Sequence, residues 1–241
     1  MKLTATPDVF CASLLKPRFD HPVLNALPVE VRLGICERAE NLYLPEDVAP
    51  PRGRLYFLKS GVLGIFPAGN PVCAGTIVPG SVYGWEALLD ENAVAGTRAI
   101  VPSDGFSVPL STIRSLLGET WIFRFLAAHA VARTRVAGIE AACNARHTAS
   151  QRTAKWIMRL HQAVRDPNGI SITQARLADL LGFQRTSINA SCGHLRDRGA
   201  IRIRRGRLIV SDVHALEEIA CNCDSELVEG RMEREPARLA H

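Results

Sequence analysis

The spacing of apolar residues changes along the chain, and each change indicates a new kind of structure. Residues 22–40 have apolar positions three to four residues apart, which is typical of a short helical segment. Residues 42–110 instead hold short apolar runs, such as 62–66, separated by segments rich in Pro and Gly. Many short strands at this spacing favour a small β-barrel or sandwich. We therefore expect a β-rich domain over residues 22–111, preceded by an N-terminal extension over residues 1–21.

Residues 112–147 contain no proline and repeat apolar side chains at three- and four-residue steps, which predicts one long helix. Such a helix is about 40–50 Å long, which exceeds the span of one small domain. We expect it to pack against a second copy of itself in a coiled-coil-like dimer seam, with packing on its own β-domain as the alternative. The expected seam residues are Ile122, Phe125, His129, Ala132, Val136, Ile139 and Cys143.

Residues 171–211 carry the pattern of two helices joined by a tight turn. Thr173 is suited to the N-cap of the first helix, because its hydroxyl can accept a hydrogen bond from a backbone N–H. Gly182 is suited to the turn, where a positive φ is favoured after a helix. The second helix is expected over about residues 184–198. Its inward positions, at four- and three-residue steps, are Ile188, Cys192 and Leu195.

The outward face of the second helix and the hairpin after it carry the candidate DNA contacts. That face holds short polar side chains and one arginine: Arg185, Thr186, Asn189 and Ser191. Such groups fit the major groove, where Arg reads guanine and Asn reads adenine. The hairpin adds four arginines that suit the phosphate contacts of a wing: Arg202, Arg204, Arg205 and Arg207. We therefore predict a winged helix-turn-helix over residues 148–224 that binds double-stranded DNA.

The charge distribution agrees with DNA binding. The chain has a formal net charge of +5, and residues 171–211 alone carry eight basic and two acidic side chains. Such cationic surfaces bind DNA by releasing counterions from its phosphates, although composition alone fits a solvated basic face equally well. Residues 225–241 are expected to form an acidic, flexible tail.

No segment approaches the roughly 20 consecutive apolar residues of a membrane helix. The N-terminus lacks a convincing secretory signal, so we expect a cytoplasmic protein without membrane contacts. The sequence also lacks the phosphate-binding, nucleophile-elbow and metal-hydrolase motifs of common enzymes, so we expect no catalytic activity.

Seven cysteines are scattered along the chain, and their odd number and spacing do not suggest a disulfide framework. Only Cys221 and Cys223 lie close together. A Cys-x-Cys pair without further ligands nearby is a weak metal signal, because a structural zinc site needs four ligands. No metal and no cofactor are therefore assigned. Cys192 is expected to pack inside its helix rather than act as a redox switch.

The layout resembles the Crp/Fnr family of bacterial transcription regulators over roughly residues 22–224. The stretches that carry the resemblance are 142–147 (ACNARH), 151–156 (QRTAKW), 172–198 and the wing 201–206 (IRIRRG). The resemblance implies an α+β fold with an N-terminal β-roll of the cyclic-nucleotide-binding jelly-roll type, a dimerisation helix and a C-terminal winged helix-turn-helix. It also implies a homodimer on palindromic operators, with RNA polymerase as a partner if the protein is an activator.

Matched by position, the resemblance makes Arg185 the base-reading arginine of the recognition helix. It makes Thr173, Gln174 and Ser187 phosphate contacts. Thr186 and Asn189 complete the expected base-reading set. At residues 186 and 190 family members often have Glu and Arg, whereas this chain has Thr and Ala, so we expect an operator that differs from the common one.

The β-roll departs further from the family pattern. Nucleotide-binding members have Gly-Glu in the phosphate cassette, followed by Arg-Ser or Arg-Thr. Here Trp85 replaces the Glu, and Glu86 and Arg98 each lie one place late. A one-residue slip in a strand turns a side chain to the other face. The iron–sulfur branch needs an N-terminal cysteine cluster, which Cys11 and Cys36 do not form. The effector is therefore unassigned.

Together these features predict a dimeric, sequence-specific DNA-binding transcription regulator that an unidentified signal controls through its β-roll. The signal is expected to shift the geometry of the dimerisation helices and so to re-space the two recognition helices. The alternative is a cyclic-nucleotide-binding or protein-interaction module with a repurposed winged helix.

Overall fold

The computed structural model describes residues 21–223 except 26, 68, 90–95 and 165. The N-terminal extension expected over residues 1–21, apart from His21, lies outside the described residues, as does the acidic tail expected over 225–241. Among the described residues, no helix combines the length and the apolar character that crossing a membrane requires.

The first domain is built around one antiparallel sheet, which confirms the expected β-rich architecture. Two short helices precede the sheet, α1 (Pro22–Asn25) and α2 (Val29–Arg38). The strands are β1 (Glu40–Leu44), β2 (Arg54–Phe66), β3 (Gly75–Ile77), β4 (Val82–Tyr83) and β5 (Gly96–Pro109). Their order is β1-β5-β2-β3, and β4 also pairs with β2. A 3₁₀ turn, Trp85–Leu88, follows β4.

The long strands β2 and β5 form a ribbon that faces three hydrophobic clusters. Their register shifts between Leu58 and Leu63, which bends the ribbon. Gly61 permits the bend, since its φ is 84° and a Cβ there would lie 2.4 Å from the carbonyl oxygen of Pro102. The bend allows one end of the ribbon to pack inside the first domain and the other end to pack against the second domain.

The helix expected over residues 112–147 is interrupted, which corrects the sequence prediction. Helix α3 spans Leu110–Leu116, and the central helix α4 spans Glu119–Arg146. Leu117 between them is only 5% exposed and belongs to the core of the first domain. Burial of this side chain and the extended backbone of Gly118 break the helix between α3 and α4.

The second domain contains the predicted helices and hairpin. Its elements are α5 (Ala149–Val164), β6 (Ile170–Ser171), α6 (Gln174–Leu181), α7 (Arg185–Asp197), β7 (Ile201–Arg204), β8 (Arg207–Val210) and α8 (Val213–Ile219). The strands form an antiparallel sheet in the order β6-β8-β7. Helices α5 and α7 and the hairpin bury a common core in which Ile157, Leu160 and Leu195 are fully covered.

The two domains pack directly on each other. Val62 and Phe66 of β2 belong to the same hydrophobic cluster as the core of the second domain. The backbone N–H of Cys73 donates to the carbonyl oxygen of Leu180 in α6 at 2.9 Å. Arg159 of α5 donates to the hydroxyl of Thr76 at 3.0 Å. The β-roll therefore touches the helix-turn-helix as well as the central helix.

Candidate nucleic-acid interface

The turn between α6 and α7 has the geometry that its sequence predicts. The hydroxyl of Thr173 accepts a hydrogen bond from the backbone N–H of Arg176 at 3.1 Å, which confirms the N-cap of α6. Gly182 follows α6 in the left-handed conformation, with a φ of 68°. A Cβ at Gly182 would lie 3.0 Å from the side chain of Val72, so the turn also needs glycine for its contact with the β-roll.

The inward face of α7 holds this helix on its own domain. Ile188, Cys192 and Leu195 are at most 1% exposed, as the helical spacing predicts. Burial raises the pKa of the Cys192 thiol, and a hydrogen bond with the Gln174 side chain partly offsets this effect. A buried, protonated thiol is a packing group rather than a reactive one.

The N-terminal half of α7 presents polar side chains to solvent. Arg185, Thr186 and Asn189 are all exposed, as expected of groups that reach base edges. Ser191 is the exception, because it is 2% exposed and its hydroxyl donates to the carbonyl oxygen of Ser187 at 2.8 Å. Its expected place on the outward face is therefore wrong, since residue 191 lies next to Cys192 on the side that packs on α5.

The three residues expected to touch phosphate near the turn differ in accessibility. Thr173 is exposed, whereas Gln174 and Ser187 are half-buried. All three lie in the first turn of α6 or α7, or just before it, where backbone N–H groups and the helix dipole favour an anion.

The hairpin forms a short wing with a tight turn. Arg205 and Gly206 have φ values of 47° and 78°, and this pair of positive values is typical of a type I′ turn. Arg202, Arg204 and Arg205 are exposed and extend the basic surface beside α7. Ile203 is 39% exposed, so only Ile201 of the two apolar positions on β7 reaches the core.

Arg207, unlike the other wing arginines, is bonded within the chain. Its guanidinium donates to the Asp166 carboxylate at 2.5 Å and to the carbonyl oxygens of Asn168 and Gly169 at 3.0 and 2.8 Å. These bonds hold the loop before β6 against β8. The phosphate contact expected of Arg207 stays a prediction, although Nε and Nη2 of its guanidinium already bond to the loop.

The stretch of the β-roll that resembles a nucleotide cassette faces the protein interior. Trp85 is 3% exposed, and its ring lies 4.1 Å from the ring of Phe125 in α4, centroid to centroid. Glu86 lies 3.7 Å from the imidazole of His129 and 3.9 Å from the guanidinium of Arg133. Both residues therefore connect the β-roll to the central helix.

Arg98 is also engaged within the chain. Its guanidinium lies 3.6 Å from the centroid of the Phe66 ring and pairs with Asp47 at 3.2 Å. The same carboxylate pairs with Arg176 of α6. Asp47 therefore links the β-roll arginine to the first helix of the helix-turn-helix.

The residues expected in the dimer seam are placed differently along α4. Ile122 and Phe125 pack against the core of the β-domain, and Cys143 is 1% exposed. These three side chains therefore have partners in their own chain, and the dimer seam expected along α4 stays a prediction. Val136 and Ile139 are half-buried, and Ala132 is exposed.

The exposed apolar side of α4 lies one residue further along the helix. It comprises Phe123, Ala127, Ala130, Ala137 and Ala141, with exposed Val131 beside them. A shift of one residue rotates a helical face by about 100°. Phe123 and Val131 are 68% and 60% exposed, which is unusual for large apolar side chains.

The fold also brings two potential metal ligands to the Cys-x-Cys pair, for which the sequence showed no further ligands nearby. Cys143 and His147 come from the end of α4, and Cys221 and Cys223 follow α8. One donor atom of each residue lies within 4.8 Å of the others.

A sensor-type antiparallel sheet, a long central helix and a winged helix-turn-helix together define a DNA-binding transcription regulator. Residues 151–219 match the model of the Crp-like helix-turn-helix domain. No curated protein is a significant match to the sequence as a whole. Residues 151–219 therefore form a Crp-like helix-turn-helix domain, as expected of a DNA-binding transcription regulator.

Solved structures of such regulators share the fold. A protein described as a Crp/Fnr-family transcriptional regulator from Eubacterium rectale aligns with a TM-score of 0.61 at 14% identity, covering 82% of this chain and 97% of its own. FixK2 from Bradyrhizobium japonicum aligns with a TM-score of 0.56 at 16% identity, covering 76% and 98%. A CRP-family regulator from Thermus thermophilus aligns with a TM-score of 0.54 at 21% identity, covering 76% and 93%.

Proposed function

We propose that the protein acts in the cytoplasm as a homodimeric regulator that binds a palindromic operator through α7 and the β7–β8 wing. The observation that carries the proposal is the exposed row Arg185, Thr186 and Asn189 at the N-terminal end of a helix whose opposite face is fully buried. A rigidly seated helix with free polar groups at this end is what major-groove reading requires.

The wing arginines supply the part of the affinity that does not depend on sequence. Arg202, Arg204 and Arg205 are exposed, and Arg205 lies at the tip of the hairpin. Phosphate contacts of this kind position a recognition helix without reading bases. Since Thr186 and Ala190 replace the residues common in the family, the operator sequence is its own.

The central helix pairs with a second copy through Phe123, Ala127, Ala130, Val131, Ala137 and Ala141. Steps of four, three and seven residues separate the main members of this stripe, as in a coiled-coil seam. Alanine side chains allow two helices to approach closely, and association would cover the exposed Phe123 and Val131.

The β-roll passes its signal to α4 through Trp85 and Glu86. These residues contact Phe125 and His129, which lie about 160° around α4 from Ala127 of the proposed seam. A shift of the 3₁₀ turn would move α4 and hence the spacing of the two recognition helices. The engagement of Glu86 and Arg98 within the chain argues against a cyclic nucleotide as that signal.

Sedimentation and footprinting test the dimeric assembly. Ala130→Glu places a charge in the proposed seam, and Ala128→Glu places the same charge about 160° away on the same exposed helix. We expect Ala130→Glu to sediment as a monomer and to lose the two-fold symmetric footprint. Ala128→Glu should keep both. A monomeric wild-type protein, or a dimer in both variants, would contradict the proposed seam.

A further inference from the structure

Four potential metal ligands meet where the central helix joins the DNA-binding domain. Cys143 and His147 are four residues apart, so they lie on the same side of the end of α4. His147 is itself the C-cap of α4, with extended backbone, and only Thr148 separates it from α5. Cys221 and Cys223 flank Asn222 just after α8. The group therefore combines residues from both sides of a helix junction.

The distances within the group fit a single ion. Cys143 Sγ lies 3.6 Å from Cys221 Sγ, and Cys223 Sγ lies 3.6 Å from His147 Nδ1. In a tetrahedral site with Zn–S of about 2.3 Å and Zn–N of about 2.0–2.1 Å, the ligand atoms are about 3.5–3.8 Å apart. All four ligand atoms lie within 4.8 Å of one another, which is close enough for one central ion. A cluster of several irons and sulfides would hold its thiolates further apart.

Cys143 lies beside charged side chains that are nearly buried. Lys155, which is 2% exposed, donates to Cys143 Sγ at 3.2 Å and to Glu140 at 2.9 Å. Arg159 donates to the same carboxylate at 2.6 Å. These three nearly buried groups carry two positive charges and one negative charge. A zinc ion with three thiolates and one neutral imidazole carries one negative charge, which is opposite in sign to the net charge of these three groups.

We infer that Cys143, His147, Cys221 and Cys223 bind one zinc ion in a tetrahedral Cys₃His site. Three sulfur ligands and one imidazole are a typical structural zinc set, and they leave no position for a substrate. Cys143 and Cys221 are buried, whereas His147 and Cys223 are half-buried, so the ion enters from the solvent side. The bond from Lys155 to Cys143 is an outer-sphere contact that orients the thiolate.

The ion joins the end of α4 to the last segment of the DNA-binding domain. Because His147 lies in the junction between α4 and α5, metal binding fixes the angle at which the domain leaves the central helix. Zinc therefore holds the recognition helix in one orientation, and its loss frees the junction. This role adds a metal requirement to the proposed DNA binding, but the site itself does not depend on DNA.

The test is a metal measurement on the full chain without DNA. Protein purified under reducing conditions and reconstituted with zinc should hold one zinc per chain by mass spectrometry of the metal. Cobalt(II) in its place should give the intense visible bands of tetrahedral thiolate coordination. His147→Ala and Cys223→Ser should weaken zinc binding by more than about a hundredfold, since loss of outer-sphere contacts alone costs about ten- to a hundredfold.

Cys36→Ser is the matched control, because Cys36 is half-buried like Cys223 but lies in α2. It should keep full stoichiometry, and circular dichroism should show that all three variants are folded. Zinc should raise the melting temperature of the wild type and of Cys36→Ser only. A wild type that binds no zinc, zinc retained in Cys223→Ser, or a Cys143–Cys221 disulfide in place of the metal would each overturn the inference. Operator binding is measured separately, so failure of the zinc site and failure of the proposed DNA binding are distinguishable.

Discussion

The recognition helix α7 and the β-roll turn at Trp85 can be compared, because the family resemblance implies ligand contacts at both. They present their side chains in opposite ways. Arg185 and Asn189 are exposed, whereas Trp85 is 3% exposed and Glu86 faces α4. The polar face of α7 is therefore accessible to DNA, whereas the β-roll turn packs inside the protein. A DNA-binding module can thus be kept while the ligand site of its sensor is replaced.

The largest expected effect follows from the packing of Trp85. Replacing Trp85 with Ala removes a buried indole from the contact with Phe125, so we expect a loss of about 3–5 kcal/mol in the free energy of unfolding. Chemical denaturation measures this loss. Leu89→Ala is the control, because Leu89 is 67% exposed and its loss should change stability by less than about 0.5 kcal/mol.

A different result for Trp85→Ala would break the comparison between the two regions. Calorimetry with cyclic AMP and cyclic GMP should detect no binding by the wild type. A near-neutral Trp85→Ala variant would show that the turn does not contribute to packing, and tight nucleotide binding by the wild type would show that it is a ligand site.

Arg185→Ala tests the recognition helix. Loss of a bidentate contact with guanine should cost about 1–3 kcal/mol of binding free energy for the operator. This corresponds to a loss of affinity of roughly fivefold to hundredfold. Fluorescence anisotropy with operator and scrambled duplexes measures the difference. Arg38→Ala removes the same charge from an exposed position in α2 and should leave both affinities unchanged. Equal losses on both duplexes for Arg185→Ala would assign this residue to phosphate instead.

Two arginines of the same hairpin should separate phosphate binding from folding. Arg205→Ala should reduce the slope of log affinity against log salt by about 1, because one phosphate contact is lost. Arg207→Ala should leave this slope unchanged and lower the stability of the domain, since Arg207 holds the loop at Asp166. A salt slope that falls in Arg207→Ala and not in Arg205→Ala would reverse the two roles.

The smallest expected effect concerns Glu86 and acid stability. The His129 imidazole, 3.7 Å away, lowers the pKa of Glu86, burial opposes this effect, and Arg133 adds to the lowering. A carboxyl whose pKa is lower in the folded state stabilises the fold above its unfolded pKa of about 4.3 and loses that contribution as pH falls through the folded value. Glu86→Gln should therefore show a flatter loss of stability below about pH 5 than the wild type. Exposed Glu37→Gln should follow the wild-type curve, and an unchanged curve for Glu86→Gln would rule out the contact.

Local sequence signals were sufficient for the DNA-binding domain. Thr173, Gly182 and the steps from Ile188 to Leu195 specify a cap, a turn and a buried face within a few residues, and the structure confirms all three. Short-range chemistry determines these features, so the sequence displays them directly.

Features that depend on distant contacts were not predictable in the same way. Periodicity could not show that Leu117 joins the β-domain core and breaks the long helix, or that Ile122 and Phe125 face that core. Arg207 resembled its neighbours in the wing until the loop at Asp166 was placed beside it. Cys143 and Cys221 are 78 residues apart, so only the fold brings their sulfurs together.

Genome-wide binding in the cell tests the central claim most directly, with the wild type and Arg185→Ala expressed at equal levels. We predict that the wild type occupies a discrete set of promoter fragments that share a two-fold symmetric site, with half-sites about one helical turn apart. Arg185→Ala should lose this set. Occupancy without a shared sequence, or the same occupied sites in both proteins, would contradict base reading by α7.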